Sequence, residues 1–498
     1  MTLVPVFDYH ALAPELILAA TVLGALGLDL VLPEERKFLV ASIGVLGLTL
    51  AAVPLLTLTL SGTERTLFGD SYVVDSFALV MKGLFVVSGY VVLLLSVGYV
   101  EEYRHYQGEY YFLLLSSILG AVVMASARDL LTLFIGLELV SGPVFLLAGW
   151  RKADLRSNEA ALKFFLIGVL STAIMLYGMS MVYGLTGEIT FSGIRAASAA
   201  LAEEPAFVLA VLFVVTGFGF KVSAAPFHFW TPDTYQGSPA PVTAYLSVGS
   251  KGAGFVGLLL VCYLAFGEVV EVWAPAVWVL AALSMTVGNL VALWQTDIIR
   301  LLAYSSVAQA GFMLVPFAAA ASLDQEDLQE AFAATIIYLL IFAFMNLGAF
   351  ATVIAAMRKA RSREIDGLAG LFSYAPGLAF LLAVFFFALA GIPPLAGWFA
   401  KFVIFRAVLV SPGAWGVVLA VIAAVNAVIA LFYYARVVKV AWMDPLPETA
   451  PAPEVRERPV QPALAVALAI TAIVTVAVGF YPQFLAFFGT ATQTLAAP

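Results

Sequence analysis

Cysteine and histidine are almost absent from this chain, which carries one cysteine, Cys262, and three histidines. A single thiol excludes an internal disulfide, a thiolate zinc site and a cysteine-held iron–sulfur cluster built from this chain alone. His10, His105 and His228 are too far apart in sequence to suggest a metal motif. No glycine-rich phosphate loop follows a predicted strand, so no nucleotide site is expected. The sequence therefore predicts a protein with no cofactor, metal or nucleic-acid partner of its own.

Charged side chains are also scarce. They make up 11% of the chain, against about 25% in an average soluble protein. Hydrophobic residues reach 63%, and the mean hydropathy of +1.02 is typical of a membrane protein. Residues 1–17 contain Asp8 and Glu15 but no lysine or arginine, so we expect no cleaved leader.

The hydropathy pattern predicts an all-α polytopic membrane protein, because a spanning helix needs roughly 20 apolar residues. About fourteen transmembrane helices are expected. Twelve are continuous and cover residues 11–32, 38–60, 76–100, 109–127, 129–149, 159–184, 241–266, 272–294, 298–320, 329–357, 413–440 and 462–488. The seventh, 206–238, and the twelfth, 374–410, are expected to be discontinuous. Leu67–Ser76 is predicted to form a short hairpin, and Met443–Pro462 a solvated loop.

The basic residues of the loops are distributed unevenly, which predicts the orientation of the chain. With the N-terminus outside, fifteen of them fall in cytoplasmic loops and three in outer loops. The cytoplasmic set is Arg36, Lys37, Arg104, Arg151, Lys152, Arg156, Arg300, Arg358, Lys359, Arg361, Arg363, Arg436, Lys439, Arg456 and Arg458, and the outer set is Arg65, Arg128 and Arg195. Both termini are therefore expected on the outer, periplasmic side of a bacterial cell membrane.

Two of the predicted spans are too long to be straight helices. At ~1.5 Å per residue, 206–238 and 374–410 would each extend roughly 50 Å, against a hydrocarbon core of ~30 Å. Pro226 and the pair Pro393–Pro394 mark the breaks, because proline removes a backbone donor and clashes with the preceding turn. Interrupted backbone at membrane depth persists only beside protein or a wet cavity.

A weak internal repeat connects the two long segments. A shift of 168 residues aligns Pro226–Trp230 with Pro394–Trp398, and Asp129 with Asp297. The shift equals five spans, so the copies would cross the membrane in opposite senses, as in inverted-repeat transporters. Two short matches can also arise by chance. The repeat predicts a three-helix segment at 1–108, five-helix repeats at 109–268 (helices 4–8) and 269–442 (helices 9–13), and a loop with the last helix at 443–498.

Six basic residues remain once the loops are accounted for: Lys82, Lys163, Lys221, Lys251, Lys401 and Arg406. Glu138, in the run TLFIGLELVSGPVF, joins them. Lys82 and Arg406 lie near outer ends and are expected to snorkel. A charge at the centre of a span costs roughly 2.5–3.5 kcal/mol, so the other five must be paired, hydrated or neutral. A shared polar axis that serves as an ion path meets this requirement. Structural ion pairs are the alternative, above all for Lys163 and its helical neighbour Glu159.

Other polar residues of these segments admit two interpretations. His228, seven residues beyond Lys221, titrates near neutral pH without help, or else is a hydrogen-bonded packing residue. Asp233 and Asp297 are expected to cap helices at cytoplasmic ends. Serine is common in helix packing, but four serines are also candidates to hold water along the axis: Ser247, Ser250, Ser305 and Ser306.

Four runs of sequence carry a resemblance to a known family. They are ALKFFLIG at 161–168, PFHFWTPDTYQGSPAPVTAYLSVGSK at 226–251, IIRLLAYSSVAQAG at 298–311 and AGIPPLAGWFAKF at 390–402. Over roughly residues 75–440 the chain resembles the antiporter-like membrane subunits of respiratory complex I, which are shared with Mrp-type cation/proton antiporters. It looks most like the N type of the bacterial NADH–quinone oxidoreductase. It lacks the long lateral helix of the L type, and it has Lys401 where the M type has a glutamate.

The resemblance implies a place in a proton path for each matching residue. Glu138 matches the fifth-helix glutamate that modulates the charge of a lysine partner, and Lys163 matches the sixth-helix lysine of the entry region. Lys221 matches the central lysine of the broken seventh helix, and His228 a histidine between the two half-channels. Lys251 matches the connecting lysine of the eighth helix, and Lys401 the lysine of the broken twelfth helix near the exit.

The resemblance also implies a function, a proton-translocating subunit without a redox site of its own. NADH, FMN, iron–sulfur clusters and quinone would then reside on other subunits. The implied partners are lipids and other membrane subunits of complex I, both antiporter-like and small. Two alternatives stay open at this point: a subunit of an Mrp-type Na⁺/H⁺ antiporter, and a passive structural subunit of the membrane arm.

Overall fold

A computed structural model describes residues 7–33, 36–100, 107–410, 413–448, 450–456 and 458–496. Two residues named above lie outside these ranges: Arg104 of the predicted cytoplasmic set, and His105. Residues 1–6, the first part of the segment in which no cleaved leader is expected, lie outside them as well.

Helices dominate the described chain. The first half contains α1 (Ala13–Val31), α2 (Phe38–Ser61), the strands β1 (Arg65–Leu67) and β2 (Tyr72–Val74), α3 (Ser76–Val100), α4 (Gln107–Ala125), α5 (Leu130–Ala148), α6 (Leu155–Thr186), α7 (Phe191–Ser198), α8 (Pro205–Lys221), α9 (Trp230–Gly237), α10 (Ala240–Tyr245) and α11 (Lys251–Leu259). The second half contains α12 (Val270–Ala292), α13 (Ile298–Ala319), α14 (Gln325–Ala360), α15 (Leu371–Tyr374), α16 (Pro376–Ala390), α17 (Gly397–Leu409), α18 (Ala414–Met443), α19 (Pro453–Arg456), α20 (Pro462–Phe480) and α21 (Gln483–Thr490).

The helical membrane architecture predicted from hydropathy is confirmed. Within the described ranges, twelve helical segments are long and apolar enough to span a membrane. Two shorter apolar helices, α8 and α16, are each followed by a second helix after a break. These pairs, α8–α9 and α16–α17, correspond to the two spans predicted to be discontinuous. The total number of crossings and the inverted repeat stay predictions.

The last predicted span differs from the structure. The hydropathy pattern placed one helix over 462–488, whereas α20 ends at Phe480 and α21 begins at Gln483. Pro482 lies between them and disfavours helical backbone at Tyr481, the residue before it.

The predicted hairpin is confirmed, because β1 and β2 pair in antiparallel register from Arg65 opposite Val74 to Leu67 opposite Tyr72.

Three helical segments form the centre of the bundle. In the most apolar 18-residue stretch of each, 89% of the residues are buried in Ala240–Ala265 and in Ile298–Ser322 and 94% in Gln325–Ala360, whereas the share is only 33% in α6 and α18. The first of them carries Lys251 and includes two π-helical stretches, Leu246–Ser250 and Leu260–Ala265. Inserted π turns are frequent at functional sites. The centre of the protein is therefore built around Lys251 and the helices that face it.

Lys82 does not snorkel, contrary to the prediction. Its side chain is fully buried, and its Nζ lies 2.7 Å from Glu15 Oε1 of α1. Tyr72 of the hairpin donates a hydrogen bond to the same oxygen over 2.8 Å. A buried cation needs such a partner, because the desolvation of an unpaired charge is strongly destabilising. Arg406 keeps an exposed side chain that pairs with Glu330 at 2.8 Å, in keeping with the prediction.

Candidate functional site

The first helix break lies between Lys221, the last residue of α8, and Trp230, the first residue of α9. It contains a cis peptide bond before Pro226 and a left-handed residue, Ser223, with φ 62°. The amide of Ala225 donates to Ser284 Oγ of α12 over 2.8 Å. A neighbouring helix therefore satisfies a backbone group that the break releases, which is the condition for broken helix inside a membrane protein.

The second break lies between α16 and α17. It begins at Gly391, whose φ of 93° ends α16, and contains a cis bond between Pro393 and Pro394. The amide of Ala396 donates to the carbonyl oxygen of Thr475 in α20 over 3.1 Å. Both breaks thus occur at the prolines named from the sequence, and each relies on another helix for a hydrogen bond.

Lys221 and Glu138 approach each other at the first break. Lys221 Nζ donates to Ser141 Oγ over 2.6 Å and lies 3.8 Å from Glu138 Oε1. Glu138 also accepts a hydrogen bond from Thr172 Oγ1 over 3.0 Å. The lysine side chain is 6% exposed and the glutamate side chain 35% exposed. The pair therefore connects the buried end of α8 with the exposed surface of α5 and α6.

Lys251 and Lys401 are buried without a carboxylate within ion-pair distance among the residues described. Lys251 Nζ donates to the carbonyl oxygen and to the Oγ of Ser306, over 2.7 and 2.6 Å. Lys401 Nζ donates to the carbonyl oxygen of Ala390 over 2.5 Å and lies 4.9 Å from the ring centroid of Phe312. Neutral oxygens therefore stabilise both amines where an acid would otherwise be expected, and an aromatic ring also lies close to Lys401.

Polar side chains line the interval between Lys251 and Lys401. Ser305, next to the acceptor of Lys251, shares a hydrogen bond with Tyr434 OH. Gln309 donates to Tyr434 over 3.4 Å and to the carbonyl oxygen of Leu389 over 3.1 Å. Leu389 precedes Ala390, the residue that accepts from Lys401. Buried groups of α13, α16 and α18 therefore form an interrupted string of hydrogen-bonding groups between the two lysines.

Asp233 is not a helix cap, contrary to the prediction. It lies inside α9, and its carboxylate oxygens are 2.7 Å from Lys163 Nζ and 2.7 Å from Arg300 Nη1. The predicted helical pair of Lys163 with Glu159 is present, also at 2.7 Å. Asp297 does cap a helix, because it accepts from the amides of Ile299 and Arg300 at the start of α13. The cap prediction for Asp233 failed because position within a loop does not reveal ionic partners on two other helices.

His228 lies in the first break, among buried polar atoms that have no hydrogen-bond partner in the described part of the chain. Its Nδ1 is buried without a hydrogen bond to a described residue, and its ring lies 6.4 Å from that of Tyr304 on α13. Further buried atoms of the break, of α9 and of the residue after α9 also lack a hydrogen bond to a described residue: Ser223 Oγ, Trp230 Nε1, Thr231 Oγ1, Thr234 Oγ1 and Ser238 Oγ. Buried polar groups left unpaired by protein usually bind ordered water. The chemistry of this segment therefore favours a hydrated region next to Lys221.

Several residues of the site were not found from the sequence. Gln309 follows Ser305 by one helical turn, and this polar stripe on an apolar helix was an available signal. Tyr434 and Ser141 give no comparable signal, because single hydroxyl groups are common in packed membrane helices. Of the serines proposed to hold water, Ser305 and Ser306 lie in the string, and Ser247 accepts from Asn346 over 2.7 Å.

A polytopic helical bundle in which two interrupted helices each bury a lysine defines an antiporter-like membrane protein. The comparisons assign it further. The chain belongs to the family described as NADH:quinone oxidoreductase/Mrp antiporter, which matches residues 127–427. The “NADH-quinone oxidoreductase subunit N 2” of Streptomyces griseus subsp. griseus is 41% identical to it, over 96% of this chain and 92% of the relative. The resemblance seen in the four sequence runs is thereby confirmed.

Solved structures share the fold. A chain of respiratory complex I from Thermus thermophilus with bound aureothin superposes with a TM-score of 0.77 at 33% identity, covering 95% of this chain and 98% of that chain. A chain of the Mrp complex from Dietzia sp. DQ12-45-1b superposes with a TM-score of 0.82 at 21% identity, covering 98% of each. The second likeness concerns the fold alone.

Proposed function

We propose that this chain is the N-type antiporter-like subunit of a proton-translocating NADH–quinone oxidoreductase, located in the bacterial cell membrane with both termini outside. It conducts protons and carries no redox site, and NADH, FMN, iron–sulfur clusters and quinone belong to other subunits. The proton path consists of Glu138, Lys163, Lys221, His228, Lys251 and Lys401.

The buried string of hydrogen-bonding groups is the observation that carries this proposal. Purely structural lysines would be matched by acids, as Lys82 is by Glu15 at 2.7 Å. Lys251 and Lys401 instead face neutral oxygens of Ser306 and Ala390. An amine in such a setting can gain and lose a proton without leaving an opposite charge stranded in the interior.

The Lys221–Glu138 pair provides the point at which the path can be controlled. Two unit charges about 4 Å apart interact by about 4 kcal/mol at an effective dielectric of ~20. A change of that size corresponds to roughly a thousandfold change in the equilibrium constant for proton binding. When the environment of Glu138 changes, Lys221 takes up or releases its proton. The proton then moves by way of the His228 region and Lys251 to Lys401.

The face around Glu138 supports a membrane-subunit partner. Glu138 is partly exposed on the outer face of α5 and α6, and large apolar side chains are exposed along the same helices: Leu131, Ile135, Leu146, Leu162, Phe165, Leu166, Val169 and Leu170. A carboxylate in the interior of a membrane-spanning helix is costly beside lipid. An adjacent antiporter-like subunit that covers this face would remove it from lipid and transmit changes of charge to it.

The test is purification of the assembly that contains a tagged copy of this chain. We expect it to contain flavin and iron, and to acidify one side of a proteoliposome when NADH and quinone are supplied. A redox-free assembly that exchanges Na⁺ for H⁺ would contradict the proposal and favour the Mrp-type alternative. NADH-driven pumping that survives both Glu138→Gln and Lys401→Ala would contradict the proton path and favour a passive structural role.

A further inference from the structure

Gly391, the residue that follows α16, lies directly against the side chain of Lys401. A Cβ added at Gly391 would lie 2.8 Å from Lys401 Cδ and 3.3 Å from both Cε and Nζ. The lysine is the flexible partner in this contact, so a side chain at position 391 would push the lysine away. Glycine has no titratable group, and the proposed proton path does not include it.

The backbone of Gly391 ends α16 in a conformation that favours glycine. Its φ is 93°, in the left-handed region that residues with a Cβ rarely adopt. The amide of Gly391 donates to the carbonyl oxygen of Ala388 over 2.9 Å. The amide of Ile392 donates to that of Phe387 over 3.0 Å, which completes a Schellman motif. Both the φ and the neighbouring lysine therefore require glycine at this position.

The last two carbonyl groups of α16, those of Leu389 and Ala390, have no backbone donor among the described residues. In a continued helix they would accept from the residues four positions on, which are Pro393 and Pro394. Proline has no amide hydrogen to donate. The prolines of the second break therefore leave two acceptors free at the end of α16.

Side chains of two other helices occupy these acceptors. Gln309 Nε2 of α13 donates to the carbonyl oxygen of Leu389 over 3.1 Å, and the Tyr338 hydroxyl holds Gln309 in place by donating to its Oε1 over 2.5 Å. Lys401 Nζ of α17 donates to the carbonyl oxygen of Ala390 over 2.5 Å. The C-terminal end of a helix carries a negative partial charge of about half an elementary charge. The end of α16 therefore stabilises a protonated Lys401 where no carboxylate is present.

The glycine beside the other broken-helix lysine contacts a different part of the side chain. A Cβ added at Gly254 of α11 would lie 3.0 Å from Lys221 Cβ and 3.1 Å from its backbone carbonyl carbon. These atoms form the base of the residue, whereas its amine donates to Ser141 Oγ. Gly254 therefore affects how closely α8 packs against α11, and Gly391 affects where an amine lies.

We propose that Gly391 is a positioning residue for Lys401 and keeps its amine at the carbonyl oxygen of Ala390, at the negative end of α16. The proposal rests on the proposed proton path, which includes Lys401. It adds that the place of this amine depends on a residue that carries no proton itself. A side chain at position 391 separates the amine from its acceptor, and proton transfer requires donor and acceptor within hydrogen-bond reach.

The test compares Gly391→Ala with a matched control, Gly187→Ala. Gly187 follows α6 with φ 73°, its amide donates to the carbonyl oxygen of Tyr183, and an added Cβ would meet no described neighbour within 4 Å. Both substitutions place alanine in left-handed backbone at a helix end, but Gly391→Ala also meets a lysine. Each is made alone and together with Lys401→Ala, which removes Cδ, Cε and Nζ. The assembled complexes are measured for protons pumped per NADH oxidised in proteoliposomes and for the thermal unfolding midpoint.

We expect Gly391→Ala to lower the number of protons pumped per NADH about tenfold, the factor that one hydrogen bond from a charged donor is worth. Gly187→Ala should pump like the unmodified complex. The unfolding midpoint should fall further for Gly391→Ala than for Gly187→Ala, and Lys401→Ala should restore that additional loss because the colliding atoms are gone. A glycine with a purely structural role would show the same loss with and without Lys401.

If Gly391→Ala alone does not assemble, assembly of its double variant with Lys401→Ala would support the proposal, and failure of the double variant would overturn it. Pumping by Gly391→Ala equal to that of Gly187→Ala would also overturn it, whatever the unfolding midpoints. Full pumping by Lys401→Ala would instead contradict the proposed proton path, and the midpoints would then still decide whether Gly391 positions the lysine.

Discussion

The two interrupted helices differ in how they accommodate a buried lysine. At the first break, Lys221 lies 3.8 Å from Glu138 and donates to Ser141. At the second break, Lys401 has no acid beside it among the described residues and donates to the carbonyl oxygen of Ala390. Lys221 therefore has a carboxylate within ion-pair distance, whereas Lys401 has only neutral partners among the described residues.

The difference assigns different tasks to the two breaks. A lysine with an acidic partner responds to events that alter the partner, and Glu138 is the more exposed member of the pair. In the proposed path, a lysine surrounded by neutral oxygens would respond only to a proton that reaches it along the polar string. In the proposed proton path, the first break would thus receive the signal and the second would pass the proton onward.

The largest expected effect is on pumping and concerns both breaks alike. Lys221→Ala and Lys401→Ala should each lower NADH-driven proton pumping at least tenfold in assembled complex, because each removes the only amine at its break. The measurement is dye-reported acidification in proteoliposomes. Lys439→Ala is the control, since Lys439 is 63% exposed and pairs with Asp444 at a helix end. Full pumping by a normally assembled Lys221→Ala complex would remove Lys221 from the path.

A smaller effect on stability should separate the breaks. A Cβ added at Gly479 would overlap the carbonyl oxygen of Pro394, whereas one at Gly219 would lie 3.0 Å from the Phe227 side chain. Backbone cannot retreat as a side chain can, so Gly479→Ala should cost about 1–3 kcal/mol by overpacking and Gly219→Ala clearly less. Thermal unfolding of the complex measures both.

Gly24→Ala is the control for these substitutions, because nothing lies within 4 Å of the added Cβ. Equal unfolding midpoints for Gly479→Ala and Gly24→Ala would show that α20 does not pack against the second break as described.

The smallest effect tests the acidic partner directly. In a double-mutant cycle, Glu138→Gln and Lys221→Met should couple by about 0.5–1 kcal/mol, a modest value because Glu138 is partly exposed. The matched cycle of Glu138→Gln with Lys401→Met should show additive changes in stability. Coupling of equal size in the two cycles would contradict the distinction between the breaks.

The sequence predicted helices and breaks well, because these depend on local chemistry. The third span was predicted at 76–100 and observed at Ser76–Val100, and the prolines at 226 and 393–394 lie in the observed breaks. Hydropathy and the missing proline amide act within a few residues, so a single chain reports them.

Partners across helices were predicted poorly. Lys82 was expected to snorkel and instead pairs with Glu15, and Asp233 was expected to cap a helix and instead bridges Lys163 and Arg300. Such contacts join residues far apart in the chain, and no periodicity encodes them. The π-helical turns on either side of Lys251 were missed for a related reason, since packing rather than composition selects them.

Gly479 of α20 packs against Pro394. The rotation of α20 about its own axis therefore affects the structure of the second break. One residue of slippage turns an α-helix by about 100°, which would replace the glycine hydrogen with the side chain of Val478 or Phe480. The connecting segment from Asp444 to Gln461 can therefore change in length only if α20 keeps its rotation. An insertion in this segment should therefore be tolerated when it leaves Gly479 facing Pro394, whatever the number of residues added.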